Sequence, residues 1–231
     1  MRCICDQCAA ENSSGTSKCL KDLWIFEHFS EGQLQALQTI GIRREIPTGQ
    51  LVFSQGGHAD ELFLIRRGRI KLSKVSEDGA EVTLDFRKHG DVLGENLFSG
   101  AGTYPVTARA IEGTITCGFN LNDFQSLILQ NPDIGLSVIK SMSNKILSLS
   151  NRIESIAEVN LEDRLYSVLS CISKEHGCKI GGEYQFPFKL THEELAFLVG
   201  AHRVSITKAM QALASKDRIK CRNKIITLKS C

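Results

Sequence analysis

Apolar residues from Leu20 to Ile40 recur at helical spacing, at Leu23, Phe26, Leu34, Leu37 and Ile40, which predicts a helix. Over residues 42–120 the pattern shortens into β-rich runs. Among them are Gln50-Leu-Val-Phe, Leu62-Phe-Leu-Ile, Arg69-Ile-Lys-Leu-Ser-Lys-Val and Glu81-Val-Thr-Leu-Asp-Phe. Asp78-Gly79 lies between the last two, and that dipeptide is a hairpin signal because tight turns need backbone that accepts positive φ. Gly49, Gly56, Gly57, Gly68, Gly90 and Gly94 mark further turns. Many short strands with regular turns predict a sandwich, jelly roll or barrel.

The period changes again after Phe119. Residues 121–129 suit a short helix with Asn120 or Asn122 as its cap, and Pro132 stands near the start of a longer one, where its missing N–H costs nothing. Along this second helix run Ile139, Met142, Ile146, Leu149, Ile153 and Ile156, in steps of 3, 4, 3, 4 and 3. That is the 3.5-residue seam of a coiled coil, narrower than the stripe of a helix packed only on its own domain. It predicts a symmetric homodimer; a stripe within one domain is the alternative. Residues 161–174 begin a second helical domain. Gly177, Gly181 and Gly182 bound a loop, and Arg218-Ile-Lys-Cys-Arg-Asn-Lys-Ile-Ile-Thr-Leu reads as two short strands around a polar turn.

Within that second domain, Thr191-His-Glu-Glu-Leu-Ala-Phe-Leu-Val-Gly-Ala-His-Arg-Val-Ser-Ile-Thr-Lys-Ala-Met is the most specific stretch of the chain. Thr191 and Glu194 make a capping box. A first helix runs to Val199, and Gly200 supplies the backbone for a tight turn. A second helix follows, with Val204, Ile206 and Met210 as its apolar candidates. Ala196 lies four residues before Gly200, where a small side chain lets two helices cross closely; Ile206 lies six after it, where it can plug the angle. That spacing is a helix-turn-helix, and the C-terminal hairpin makes it a winged one. The N-terminal turns of the second helix would enter the major groove of double-stranded DNA. His202, Arg203, Ser205, Thr207 and Lys208 sit there. Arg203 can reach guanine O6 and N7, Ser205 and Thr207 phosphates or bases, and Lys208 a phosphate. A plain helical hairpin with a solvated basic face is the competing reading.

The charge distribution fits a polyanion partner, and equally an ordinary scatter of surface charge. Leu161–Cys231 carries 12 Lys and Arg against 7 Asp and Glu, whereas the remainder carries 16 against 19. With 42% apolar and 23% charged residues, the composition is that of a soluble globular protein. No segment approaches the roughly 18 apolar residues of a membrane span, and the polar N-terminus lacks the apolar core of a signal peptide. A cytoplasmic protein without membrane association is expected. No P-loop, His-Glu-x-x-His or Gly-x-Ser-x-Gly is present, so no enzyme is expected. A β-roll module that regulates a partner protein is the better rival to DNA binding.

Nine cysteines, an odd number, argue against a disulfide framework in such a setting. Cys3, Cys5, Cys8 and Cys19 cluster in residues 1–19, a polar arm that cannot bury a core by itself and needs a metal or a partner surface to order it. Cys117, Cys171, Cys178, Cys221 and Cys231 are scattered.

The order β-roll, dimer helix, winged helix resembles the CRP/FNR family of bacterial transcriptional regulators from Leu20 to the C-terminus. Gly90-Asp-Val-Leu-Gly-Glu is similar to the family's β-roll turn. Ala110-Ile-Glu-Gly-Thr-Ile-Thr-Cys is similar to the strand after it, and Asn160-Leu-Glu-Asp-Arg-Leu to the start of the DNA domain. The resemblance implies an α+β chain: a Cys-rich arm over 1–19, a sensor β-roll of the cyclic-nucleotide-binding type over 20–130, a dimerisation helix over 131–159 and a winged helix-turn-helix over 160–231. It implies promoter binding at a palindromic site and contact with RNA polymerase. Cyclic AMP receptors of the family carry an Arg-Ser pair after the Gly-Glu turn. Those positions here are Tyr104 and Pro105, which disfavours cyclic AMP and leaves Gly94, Glu95 and Tyr104 as a weak effector pocket. The oxygen-sensing FNR branch binds a [4Fe–4S] cluster through an N-terminal Cys cluster and one β-roll Cys. Cys5, Cys8, Cys19 and Cys117 match those roles, with Cys3 as an alternative ligand, although the gap between Cys8 and Cys19 is longer than that branch has. A thiol–disulfide switch to Cys117 is a second possibility. The stretch Gly200-Ala-His-Arg-Val-Ser-Ile-Thr-Lys is also similar to the recognition helix of halorespiration regulators, which implies a third, an organic effector in the β-roll.

Overall fold

The computed structural model describes residues 30–100, 102–222 and 225–229. Cys3, Cys5, Cys8 and Cys19, and the Leu23 and Phe26 positions of the first predicted helix, lie outside the described residues. The chain divides into two compact units, one running through Ser143 except for Val82–Leu84, the other built from those three residues and the chain from Asn144 on.

The first unit opens with α1 (Glu31–Ile40). Ser30 caps it, its hydroxyl accepting from Gln33 N–H while the Gln33 side chain accepts from Ser30 N–H. Eight strands follow: β1 (Gly41–Ile46), β2 (Leu51–Phe53), β3 (Glu61–Arg67), β4 (Ile70–Val75), β5 (Glu81–Arg87), β6 (Val92–Leu93), β7 (Thr107–Ala110) and β8 (Thr114–Asn120). They form two four-stranded sheets, in the orders β1-β8-β3-β6 and β2-β7-β4-β5. The predicted turn at Asp78-Gly79 joins β4 to β5, closed by Ser76 N–H donating to Ala80 O at 2.9 Å.

The two sheets face each other across an apolar interior, where Phe53 of β2 meets Phe63 of β3 with ring centroids 5.8 Å apart. Side chains alternate along a strand. Leu62, Leu64, Cys117 and Phe119 therefore share the opposite face of the first sheet, and register pairs them as Leu62 with Phe119 and Leu64 with Cys117. Helices cover that face. Phe119 meets Phe124 of α2 (Leu121–Gln130) at 5.5 Å, and a small apolar cavity lies between Leu62, Leu64, Phe119, Phe124 and Val138 of α3 (Pro132–Ile156). Leu34 and Leu37 of α1 belong to the same core. Asn120 caps α2 and Pro132 is the first residue of α3.

The second unit contains α4 (Leu161–His176), β9 (Cys178–Ile180), β10 (Glu183–Gln185), α5 (His192–Val199), α6 (Arg203–Ser215), β11 (Ile219–Arg222) and β12 (Ile225–Lys229). Its strands make one sheet, in the order β11-β12-β10-β9. The C-terminal hairpin is the predicted one. Where sequence predicted only a loop, the chain makes a second hairpin: Gly181 and Gly182 both take positive φ, 59° and 86°, as a two-residue hairpin turn requires. Leu165 and Leu169 of α4, Leu195 and Val199 of α5, and Ile206 and Leu213 of α6 form the core beneath it. Among the described residues no helix is long and apolar enough to cross a membrane.

Candidate nucleic-acid interface and sensor site

Thr191 ends an extended segment and caps α5: its hydroxyl accepts from Glu194 N–H at 3.1 Å, and Glu194 Oε2 accepts from Thr191 N–H at 2.9 Å. Gly200 ends the helix at φ 66°, ψ 48°, a left-handed conformation that glycine adopts without steric cost. His202 then starts α6 as its N-cap residue, without a side-chain bond to the helix. Ala196 and Ile206 are buried at the crossing, as their spacing predicts.

Arg203, Val204 and Lys208 are exposed on α6, and Ser205 is half-buried. Of the three apolar candidates of this helix, Ile206 and Met210 are buried, together with Ala209 and Leu213, whereas Val204 is 68% exposed. An exposed valine beside Arg203 suits contact with a thymine methyl group. The Thr207 hydroxyl is engaged inside the motif. It donates to Arg203 O at 3.1 Å and lies within hydrogen-bond distance, 2.9 Å, of Nδ1 of His192 on α5. His192 was not picked out from sequence, since a histidine inside a helix start carries no signal until its partner across the turn is known.

Much of the basic charge of this unit is neutralised locally. Lys216 pairs with Glu162, Arg218 with Asp163, Lys220 with Glu183, and Lys229 with Asp217. Among the described residues neither Arg203 nor Lys208 of the recognition helix has such a partner, and Lys174, Lys179, Lys189 and Arg222 elsewhere in the unit also show no ion pair.

In the first unit, Cys117 is fully buried on β8, on the helix-covered face of its sheet, with Arg43 of β1 as its register partner. Among the described residues no three His, Cys, Asp or Glu come together as metal ligands; the arm cysteines are outside them. The effector-pocket residues divide. Tyr104 is 4% exposed, its ring stacked on Phe53 at 3.9 Å and its hydroxyl donating to Glu61 O at 2.8 Å. Gly94 lies beside that ring, close enough that a Cβ there would sit 3.5 Å from it. Glu95 is committed to Arg87, which it meets at 2.7 Å while Arg87 also pairs with Asp85 at 3.1 Å. Burial pulls the Arg87 guanidinium down, but Glu95, Asp85 and Asp91 outweigh it and hold its pKa above the ordinary value. Arg87 escaped the sequence reading because its partners converge only through the fold.

Residues 43–131 match the cyclic nucleotide-binding domain family, and residues 163–230 match the Crp-like helix-turn-helix domain family. The anaerobic regulatory protein of Bacillus subtilis (strain 168) is 26% identical over 186 residues, 80% of this chain and 78% of that one. The CRP-like cAMP-activated global transcriptional regulator of Mycobacterium tuberculosis is 24% identical over 184 residues, 80% of this chain and 82% of that one. The solved structure of the c-di-GMP responsive global regulator CLP of Xanthomonas campestris superposes with a TM-score of 0.73 at 22% identity, over 87% of this chain and all of that one. That likeness carries the fold.

Proposed function

Because this chain belongs to the CRP/FNR family of DNA-binding transcriptional regulators, not of enzymes, we propose that it binds a two-fold symmetric site in double-stranded DNA as a homodimer, under control of a redox or oxygen signal. The observation that carries the dimer is the state of the α3 seam. Ile139, Ile146 and Ile153 are 60%, 63% and 70% exposed, and Met142, Leu149 and Ile156 are also open to solvent. Near the start of the same helix Ile134 and Val138 are buried against the β-roll core. An apolar row of period 3.5 left in water is what a second copy of the helix would cover. In each protomer α6 would present His202, Arg203, Val204, Ser205 and Lys208 to one major groove, with half-sites one helical turn apart. Contact with RNA polymerase and a cytoplasmic location follow from that role.

For the sensor we propose a [4Fe–4S] cluster held by Cys5, Cys8, Cys19 and Cys117, with Cys3 as a substitute ligand. Cys117 fits such a group: it sits on rigid β8, away from water, in the layer that α1 also enters. A buried thiolate is costly unless its charge is taken up, and iron takes it up. When bound, the cluster would supply oxygen-sensitive redox chemistry and tie the arm to the β-roll. Cyclic AMP is not the proposed effector, since Glu95 is bonded to Arg87 and Tyr104 fills the space beside Gly94. The proposal as a whole is tested by sedimentation together with titration of a fluorescent palindromic duplex. Two chains per duplex, with no binding to a single half-site at the same concentration, is the expected result. Binding of one chain at full affinity would overturn the dimer.

A further inference from the structure

Arg66, Arg67, Arg69, Lys88 and His89 line one cavity of about 270 Å³, completed by Gly68 and Glu112. Three neighbouring stretches supply these residues: the end of β3 with the turn into β4, the turn between β5 and β6, and the turn between β7 and β8. Backbone bonds lock the turns together. Gly90 N–H donates to Ile65 O at 2.8 Å, Ile65 N–H to Asp91 O at 3.0 Å, and Ile111 N–H to Arg69 O at 3.0 Å. The convergence is thus built by the ladder of the fold and does not depend on flexible side chains finding one another.

Four of the lining residues carry a full positive charge. Glu112 is the one carboxylate of the lining, and it is taken by Arg69 at 2.8 Å. Arg66 is only 4% exposed, so its guanidinium has already lost most of its water. Like charges gathered in a concave, partly desolvated site raise the local potential and favour an anion. Guanidinium groups present forked donors that match phosphate oxygens, and a lysine adds a point charge. At about 270 Å³ the cavity falls just below the roughly 300–1,000 Å³ of drug-sized pockets, so the ligand is small. The site is separate from Gly94 and Tyr104. Those residues lie against Glu61, the first residue of β3, whereas Arg67 is its last, and a seven-residue strand spans roughly 20 Å.

We propose that this cavity binds a small, multiply charged anion of the phosphate class, either inorganic pyrophosphate or a diphosphate ester, as a second ligand of the sensor unit. Calorimetric titration of the full chain with inorganic pyrophosphate and, separately, with adenosine 5′-diphosphate tests it, at physiological ionic strength. Saturable binding of at least one probe is expected. Tighter binding of the nucleotide points to an organic ester; equal affinity points to the phosphates alone. Arg67→Ala and Lys88→Ala should each weaken binding on the order of tenfold. Arg67→Gln, which keeps most of the side-chain bulk, should do the same without shifting the melting temperature of unliganded protein. Absence of saturable heat with both probes up to about 10 mM, or unchanged affinity in all three variants, would overturn the proposal.

Discussion

Arg203 and Lys208 stand one helical turn and a residue apart on α6, yet they are suited to different work. Arg203, at the first position of the helix and without an ion-pair partner among the described residues, can reach a base edge with two parallel donors. Arg203→Ala is expected to lose roughly 1–3 kcal/mol of DNA affinity and to relax selectivity at one base pair per half-site. Binding to a library of single-base operator variants measures both, and an unaltered preference at every position would show that Arg203 reads no base. Lys208→Ala should weaken all operators evenly and flatten the salt dependence, the mark of a phosphate contact. In the first unit, Tyr104 gives a pH test. Burial raises its phenol pKa, and the carboxylates of Asp60 and Glu61 push the same way. A raised folded-state pKa means that stability from the neutral phenol is complete below its ordinary value, near 10, and is lost as pH rises through the folded value. Tyr104→Phe should cost about 1 kcal/mol at neutral pH, from the lost bond to Glu61 O. It should also remove the alkaline loss, so denaturant unfolding of the two proteins should converge above about pH 10. A constant difference across that range would mean that folding does not raise the phenol's pKa.

At the scale of elements, α3 is the case in which spacing alone carried the reading. Six apolar residues at steps of three and four named a seam, and the folded chain leaves that row in water while burying Ile134 and Val138 in the helix's first two turns. Ile146→Glu or Ile153→Glu would place a charge in a row that meets its own symmetry mate, so the dimer fraction in sedimentation should fall and DNA affinity with it. An unchanged fraction in both variants would assign the seam to packing within one chain. The helix-turn-helix was equally legible, because Thr191, Glu194, Ala196, Gly200 and Ile206 each meet a local steric or hydrogen-bonding requirement. The hairpin of β9 and β10 was not. Strands of three residues show no measurable alternation, and Gly181-Gly182 reads equally well as a loop. Val204 was misplaced for a related reason: an apolar residue early in a recognition helix has the same letter whether it faces the core or the groove. The links His192–Thr207 and Arg87–Glu95 join residues 15 and 8 positions apart, and no periodicity announces such pairs.

At the scale of the whole molecule, the proposal joins a Cys-rich arm to the DNA-binding unit through one buried thiol. An arm with the composition of residues 1–19 cannot offset its own ordering entropy, so any order it has must come from ligation or docking. Cys117 is the proposed ligand that the β-roll itself contributes, and its place on β8, between β1 and β3, leaves it little freedom to move. Cys117→Ala is therefore the most informative single change. A buried thiol replaced by a methyl group removes little volume, and two-state unfolding of the β-roll should shift by no more than about 1 kcal/mol. Iron and acid-labile sulfide, measured on protein prepared without air, should by contrast fall to background. Single replacement of Cys5 should be milder, since Cys3 stands two residues away. Exposure of the wild-type protein to air, or chelation of its iron, should lower affinity for the palindromic duplex, while Cys117→Ala should show the low affinity from the outset and no further response. The control with Ile146→Glu separates sensing from assembly: it should lose DNA affinity yet keep its iron. Wild-type protein that contains neither iron nor sulfide after anaerobic reconstitution would sink the cluster. Peptide mapping would then decide whether a disulfide to Cys117 forms on oxidation, because that exchange needs the same buried sulfur to be reached by a thiolate of the arm.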